Sequence, residues 1–190
     1  MDIATSLYNG NLIRFTRIEF DKDPAEMARW TRDANYFRLM GEVPARPLST
    51  FEVNKKLEGI EKSSDADGRS YYFHVRPLGE ERLAGFAKIE WILWASRSGK
   101  VNFAIGDPAD RNKGYGSDVL RLLLRFGFDE LNLNRLFTFV PEYNEAAIHL
   151  LQKFGFGVEV RRREVLVHDA RRWDMLELCL LRRDWEATIK

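Results

Sequence analysis

The chain has 190 residues, 45% of them hydrophobic, which is enough for one sizeable core and makes a single domain over 1–190 the expectation. Thirty basic against twenty-nine acidic residues leave a formal charge of +1, so there is no global field to draw in nucleic acid or an anionic membrane, and any anion must be held locally. The single cysteine, Cys179 in "MLELCLL", can form no internal disulfide; it reads as a buried strand residue of a protein in a reducing, cytoplasmic setting.

The first residues, "MDIATSLYNGNLIRF", show no basic region followed by an apolar one, and no run reaches the roughly 18 apolar residues of a membrane span. In "NLIRFTRIE" (11–19), Ile13 and Phe15 alternate with Arg14 and Thr16, the pattern of a strand with one buried face. "DPAEMARWTRD" then predicts a helix, with Asp23 as cap and Pro24 in the first turn. A loop at 35–49 is expected to form a lid, and Phe51, Val53, Leu57 and Ile60 mark a second helix over about 49–62. The polar stretch "EKSSDADGRS" reads as a loop.

Strands follow at 70–78 and 82–94, joined by a hairpin-length "GEE", and at 100–106. From Tyr115 the apolar Leu120, Leu123, Leu124, Phe126 and Phe128 predict a helix whose polar stripe is Asp118, Arg121, Arg125 and Asp129. "NRLFTFVPE" (134–142) is a strand, and "NEAAIHLLQKF" (144–154) a helix capped by Asn144 and stopped by Gly155. Two closing strands form a hairpin about "HDA". This order predicts a mixed α/β fold.

The junction between the third of these strands and the helix carries the chemistry. A helix start leaves several backbone N–H groups unpaired and bears a partial positive charge, so it holds an anion without dedicated basic side chains. In "RNKGYG" (111–116), Gly114 and Gly116 let backbone and ligand oxygens approach closely. The nucleotide-loop pattern ending in Lys-Ser/Thr fails, because Gly116 is followed by Ser117 and Asp118. A dinucleotide fingerprint needs glycine or alanine at 119, where the chain has Val119.

The segment does fit Arg/Gln-x-x-Gly-x-Gly/Ala at a strand-to-helix junction, and with "NEAAIHLLQKFGF" at the right distance downstream it resembles the GNAT superfamily of N-acetyltransferases. The nearest branch is that of the ribosomal-protein N-terminal and spermidine acetyltransferases. The resemblance implies a mostly antiparallel central sheet with helices on both faces. It implies acetyl-CoA as cosubstrate, an amine as acceptor, and direct attack in a ternary complex. Arg111, Asn112, Lys113, Gly114, Tyr115, Gly116 and Ser117 would hold the pyrophosphate, mostly through main-chain N–H. The Arg111 and Lys113 side chains would add charge-assisted contacts. Phe103, Ala104 and Ile105 would meet the pantetheine arm through the backbone, and Asn144 would lie near the acetyl group.

For proton transfer, Glu90 is the candidate base; strand alternation puts it on the face of Phe86, Lys88 and Trp94. The chain departs from the family at the acid, with Leu151 standing where many relatives have tyrosine. That departure supports a rival reading, a catalytically weakened acyl-CoA-binding sensor or partner-binding module. No metal is expected, because His74, His149 and His168 share no ligand spacing with one another or with Cys179. The basic ribbon at 161–173 reads as a solvated edge rather than a nucleic-acid site, and a homodimer through the sheet edge stays open.

Overall fold

A computed structural model describes residues 7–41 and 44–189. In chain order the elements are β1 (Ile13–Thr16), α1 (Asp23–Trp30), α2 (Ala34–Leu39), α3 (Thr50–Asp67), β2 (Tyr71–Pro77), β3 (Gly85–Leu93), β4 (Ser98–Ile105), α4 (Tyr115–Arg125), β5 (Arg135–Pro141), α5 (Glu145–Lys153), β6 (Gly157–His168), β7 (Arg171–Leu181) and α6 (Arg182–Ile189). The strands form one seven-stranded sheet in the order β1-β2-β3-β4-β5-β7-β6. All neighbours are antiparallel except β4 and β5, which run parallel.

Period-two alternation sends each strand's side chains to two different cores. Ala87 and Ile89 of β3 face α4, joining Val101, Val119, Leu120, Leu123, Leu136 and Leu178 in the larger one. Phe86 faces the opposite way, into a second core with Trp30, Tyr36, Phe37 and Leu57 from α1, α2 and α3. Helices therefore cover both faces of the sheet, as the order of elements implies.

Several parts of the chain depart from the sequence expectation. The stretch at 35–49, of which residues 42 and 43 lie outside the described ones, holds α2; most of the expected loop at 61–70 is helical, because α3 runs on to Asp67; and the C-terminal tail folds as α6, whose Trp185 packs on Phe128. Asp118 is no part of a solvated stripe: it is 1% exposed. Its carboxylate accepts the backbone N–H groups of Leu12 and Ile13 at 2.7 and 3.1 Å and an Nη of Arg121 at 2.7 Å, tying the edge of the sheet to the start of α4. Gly10 allows that approach, since a Cβ there would stand 2.3 Å from the carboxylate. The β6–β7 turn does fall where "HDA" put it, with Asp169 and Ala170 at φ 51° and 55°, the backbone of a tight hairpin turn.

Asp23 is also not a cap. It is the first residue of α1, 1% exposed, and reaches across to β2. One oxygen lies 2.6 Å from His74 Nδ1, and both accept from Arg76 Nη2 at 2.8 Å, while Glu19 holds the same guanidinium at 2.9 Å. Burial pushes the Asp23 carboxyl up, but the hydrogen bonds from His74 and Arg76 outweigh burial and hold it below its ordinary 3.8. Arg76 is fully buried, so deleting the carboxylate removes its bidentate buried partner and leaves the charge to the more exposed Glu19. Asp23→Ala is expected to lower stability by about 3–5 kcal/mol in denaturant melts at pH 7. Because the native pKa is depressed, this contribution is present above the ordinary value and fades as pH falls through the native one, so the wild-type advantage should shrink in melts below about pH 3.8.

Candidate functional site

The parallel pair β4–β5 stays hydrogen-bonded over only three register positions, Ser98–Arg135, Gly99–Leu136 and Lys100–Phe137. Past Lys100 the strands diverge. On its other side β4 remains paired with β3 as far as Ile105, and β5 with β7 as far as Pro141. The side of β4 that faces β5 therefore carries main-chain groups open to a ligand rather than to a neighbouring strand.

A cavity of about 440 Å³ fills the gap. Val101 to Ile105 form one wall and Thr138, Phe139 and Val140 the other; Ala147, Leu150 and Leu151 of α5 close one side, and Tyr36, Leu39 and Met40 flank the opposite side. The cavity runs on to Arg111, Asn112, Gly114, Gly116 and Ser117 at the start of α4. There Gly114 sits at φ 87°, a left-handed conformation that turns the loop into the helix and that a β-branched residue adopts only under strain. No side chain caps α4. The amide of Asp118 is bonded to Gly114 O at 3.1 Å, while those of Gly116 and Ser117 just before it belong to the first-turn donors that have no intrahelical acceptor. A helix start with open amides at one end of a cleft and strand backbone along its wall can hold a diphosphate and an extended amide-bearing chain together.

Of the residues predicted from the sequence, Phe103, Ala104, Ile105, Arg111, Asn112, Gly114, Gly116, Ser117 and Asn144 line this cavity; Lys113, Tyr115 and Glu90 are not among its lining residues. The two basic side chains of the loop are already engaged. Arg111 donates to Ile105 O and Gly106 O at 3.4 and 3.2 Å and stands 3.6 Å from Asp33, and Lys113 bonds Asp110 at 3.1 Å. Their charge shapes the loop, and the backbone amides at the start of α4 remain the open donors there.

Asn144 combines two roles. Its Oδ1 accepts from Ala147 N at 3.2 Å as the cap of α5, while its Nδ2 donates to Leu39 O at 2.8 Å. Beside it, Tyr143 donates its hydroxyl to Arg38 O at 2.6 Å. The carbonyl end of α2 is thus fastened to the start of α5, and Leu39 and Met40 are held against the cavity. Sequence reasoning passed over the β5 wall; its signal was the parallel strand–helix–strand order of 100–141, which places β5 beside β4.

Glu90 requires a correction. It does share a face with Phe86 and Lys88, but a bulge between Glu90 and Leu93, with Trp91 at φ 55°, breaks the alternation before Trp94. Its carboxylate bonds Lys88 Nζ at 2.8 Å and Lys100 Nζ at 3.1 Å. Burial pushes the carboxyl up; the hydrogen bond and charge of Lys88, with the charge of Lys100, outweigh this and hold it below its ordinary 4.5. A carboxylate so stabilised is a weaker proton acceptor, and Glu90 is not among the residues lining the cavity.

Leu151 is 3% exposed and part of the larger core, so the departure from tyrosine leaves an apolar wall at that point of the cavity.

Two substitutions test this geometry. Gly114→Val should weaken acetyl-CoA binding by about tenfold or more, the equivalent of about 1–2 kcal/mol of left-handed backbone strain, whereas Lys113→Ala should change it by less than about threefold in calorimetry. Equal effects would place the anion on the lysine. Glu90→Gln should cost about 1–3 kcal/mol of stability at pH 7 and lower kcat by less than about tenfold; loss of a true general base would cost about 10²–10⁴-fold.

The comparisons with known proteins agree with this arrangement. Residues 13–157 match the Acetyltransferase (GNAT) domain family. An uncharacterized N-acetyltransferase, YnaD of Bacillus subtilis, is 25% identical over 171 residues, covering 88% of this chain and 93% of its own. The spermidine N(1)-acetyltransferase of Escherichia coli is 27% identical over 128 residues, covering 63% and 68%. The spermidine N-acetyltransferase from Vibrio cholerae, solved in complex with CoA and spermine, superposes with a TM-score of 0.77 at 21% identity, over 92% of this chain and 98% of that one. With the family match spanning most of the chain and the open helix start lying beside a split sheet, the chain belongs to the GNAT acetyltransferases and is an acetyl-CoA-dependent acyltransferase.

Proposed function

We propose that the protein acetylates a primary amine by direct attack on acetyl-CoA in a ternary complex. The observation that carries this reading is the single cavity joining the open amides of α4 to the divergent stretch of β4 and β5 and then to the α2 wall. The diphosphate belongs at the first of these and the pantetheine amides along β4. The thioester then lies deep between the strands, where the acceptor can reach it from the side of Tyr36, Leu39 and Met40. In the reaction the neutral amine nitrogen bonds to the thioester carbon. The tetrahedral oxyanion is stabilised by backbone N–H of β4, the carbon–sulfur bond breaks, and the thiolate takes up the proton that the amine has lost. The cavity residues contribute orientation, exclusion of water and main-chain donors, and water carries the proton where Leu151 offers none.

The relatives' names include spermidine acetyltransferases and a putative ribosomal N-acetyltransferase of Bacillus subtilis, so polyamines and peptide N-termini are both reasonable first acceptors. The test is thiol release from acetyl-CoA with spermidine, a peptide bearing a free N-terminus, and hexylamine. Release above the amine-free blank with any of them supports transfer.

Leu151 favours a second reading, a weakened enzyme that binds acyl-CoA as a sensor. If acetyl-CoA binds and no amine releases thiol, the sensor reading replaces the first. Leu151→Tyr separates a slow enzyme from an inactive one. A phenol introduced at this wall should raise kcat by about 10–100-fold in a slow enzyme, part of the 10²–10⁴-fold that a positioned acid contributes, at a stability cost of about 1–3 kcal/mol for overpacking.

A further inference from the structure

We propose that the acceptor site selects a monoamine with an apolar flank and discriminates against polyamines; this rests on the amine-acetylating reading above. The acceptor side of the cavity is walled by Tyr36, Leu39, Met40 and Phe139, which suit an apolar substituent next to the attacking nitrogen. A polyamine needs more. Each nitrogen beyond the reacting one is an ammonium that requires a carboxylate or an aromatic face once it leaves water.

Among the described residues of the sheet face beside this wall, the groups that could serve are already engaged. The one carboxylate in the cavity lining, Asp110, lies at the α4 end and is bonded by Arg82 and Lys113. On the open sheet face beside the acceptor wall, Glu90 is shared by Lys88 and Lys100, and Glu177 by Arg135 and Arg162 at 3.2 and 3.5 Å. The Trp91 and Phe139 rings are taken as well. Lys100 Nζ stands 4.3 Å from the centre of the Trp91 ring and 5.5 Å from that of Phe139, and the Arg162 guanidinium stands 4.6 Å from Phe139. An incoming ammonium at Phe139 would meet two cations already seated on that ring. Like charges at such separations repel in a partly desolvated site, and the cost recurs for every additional ammonium.

This is a specificity device assembled from pairs that otherwise look structural. Lys100 and Arg162 occupy Phe139 and, with Lys88 and Arg135, the carboxylates of Glu90 and Glu177, so a second ammonium entering along this face meets cations rather than partners. The Glu90 triad thereby has a consequence for function whether or not its carboxylate moves a proton.

The test compares hexylamine, with one nitrogen, against spermidine, with three. Each is titrated by calorimetry into the native protein saturated with CoA, and each is assayed for thiol release from acetyl-CoA. Hexylamine should bind at least tenfold more tightly and have the larger kcat/KM. Met40→Glu, which adds an unpaired carboxylate beside the wall, should narrow or reverse the ratio. Spermidine binding as tightly as hexylamine, or more tightly, in the native protein overturns the proposal and leaves the acetylation reading standing. Binding of CoA with no saturable signal and no thiol release for either amine overturns both.

Discussion

Everything that distinguishes this molecule from an ordinary sandwich of helices on a sheet depends on the early parting of β4 and β5. Three paired positions hold the strands together at Ser98, Gly99 and Lys100. Their outer neighbours then keep β4 on β3 and β5 on β7, so neither strand is free to close the gap. The apolar residues of α5 occupy the opening: Leu150 and Leu151 reach it from the side of the larger core, and Leu151 belongs to that core. Closing the strands would bury no more apolar surface and would expel these side chains, so packing stabilises the open arrangement. The open strand backbone that would be a defect elsewhere becomes the binding surface.

The loop between β4 and α4 shows how charge is distributed around this opening. The basic side chains of the loop are engaged within it, Arg111 with the carbonyls of Ile105 and Gly106 and the half-exposed Lys113 with Asp110. They fix the loop's shape. The helix start then presents amides whose positions do not change with the side-chain rotamers. Asp118 completes the frame by joining the first turn of α4 to the amides of Leu12 and Ile13, so that a residue of the binding helix also anchors the edge strand.

The acceptor side is built on the same economy. The short helix α2 has too few residues to stand alone, and its stability comes from tertiary contacts. Its N-cap Asp33 lies 3.6 Å from Arg111, and its last carbonyls accept from Tyr143 and Asn144. This wall of the cavity is thus fastened at its two ends to Arg111 and Asn144, which line the rest of the cleft. Beneath it, Asp23, His74 and Arg76 form a buried polar cluster that joins α1 to β2 and fixes where the helical layer sits on the sheet.

Much of this was legible from local sequence alone. Alternating Ile13 and Phe15, the apolar run from Leu120 to Phe128, and the glycines of "RNKGYG" each express a preference that lies within a few neighbouring residues, so strands, the central helix and its open start follow from the chain read in order. Asn144 is a helix cap for the same reason. What tertiary structure decided is the partnership of groups far apart in the chain. Asp118 reads as one of a solvated stripe until Leu12 and Ile13 arrive, 106 and 105 residues away, to take its carboxylate. Asp23 reads as a cap until Arg76 and His74 claim it, and Glu90 as a lone carboxylate until Lys88 and Lys100 pair with it. A charged side chain has the same spelling whether it is solvated, buried or catalytic. Only the dielectric and the opposite charges that folding brings around it determine which of these it becomes.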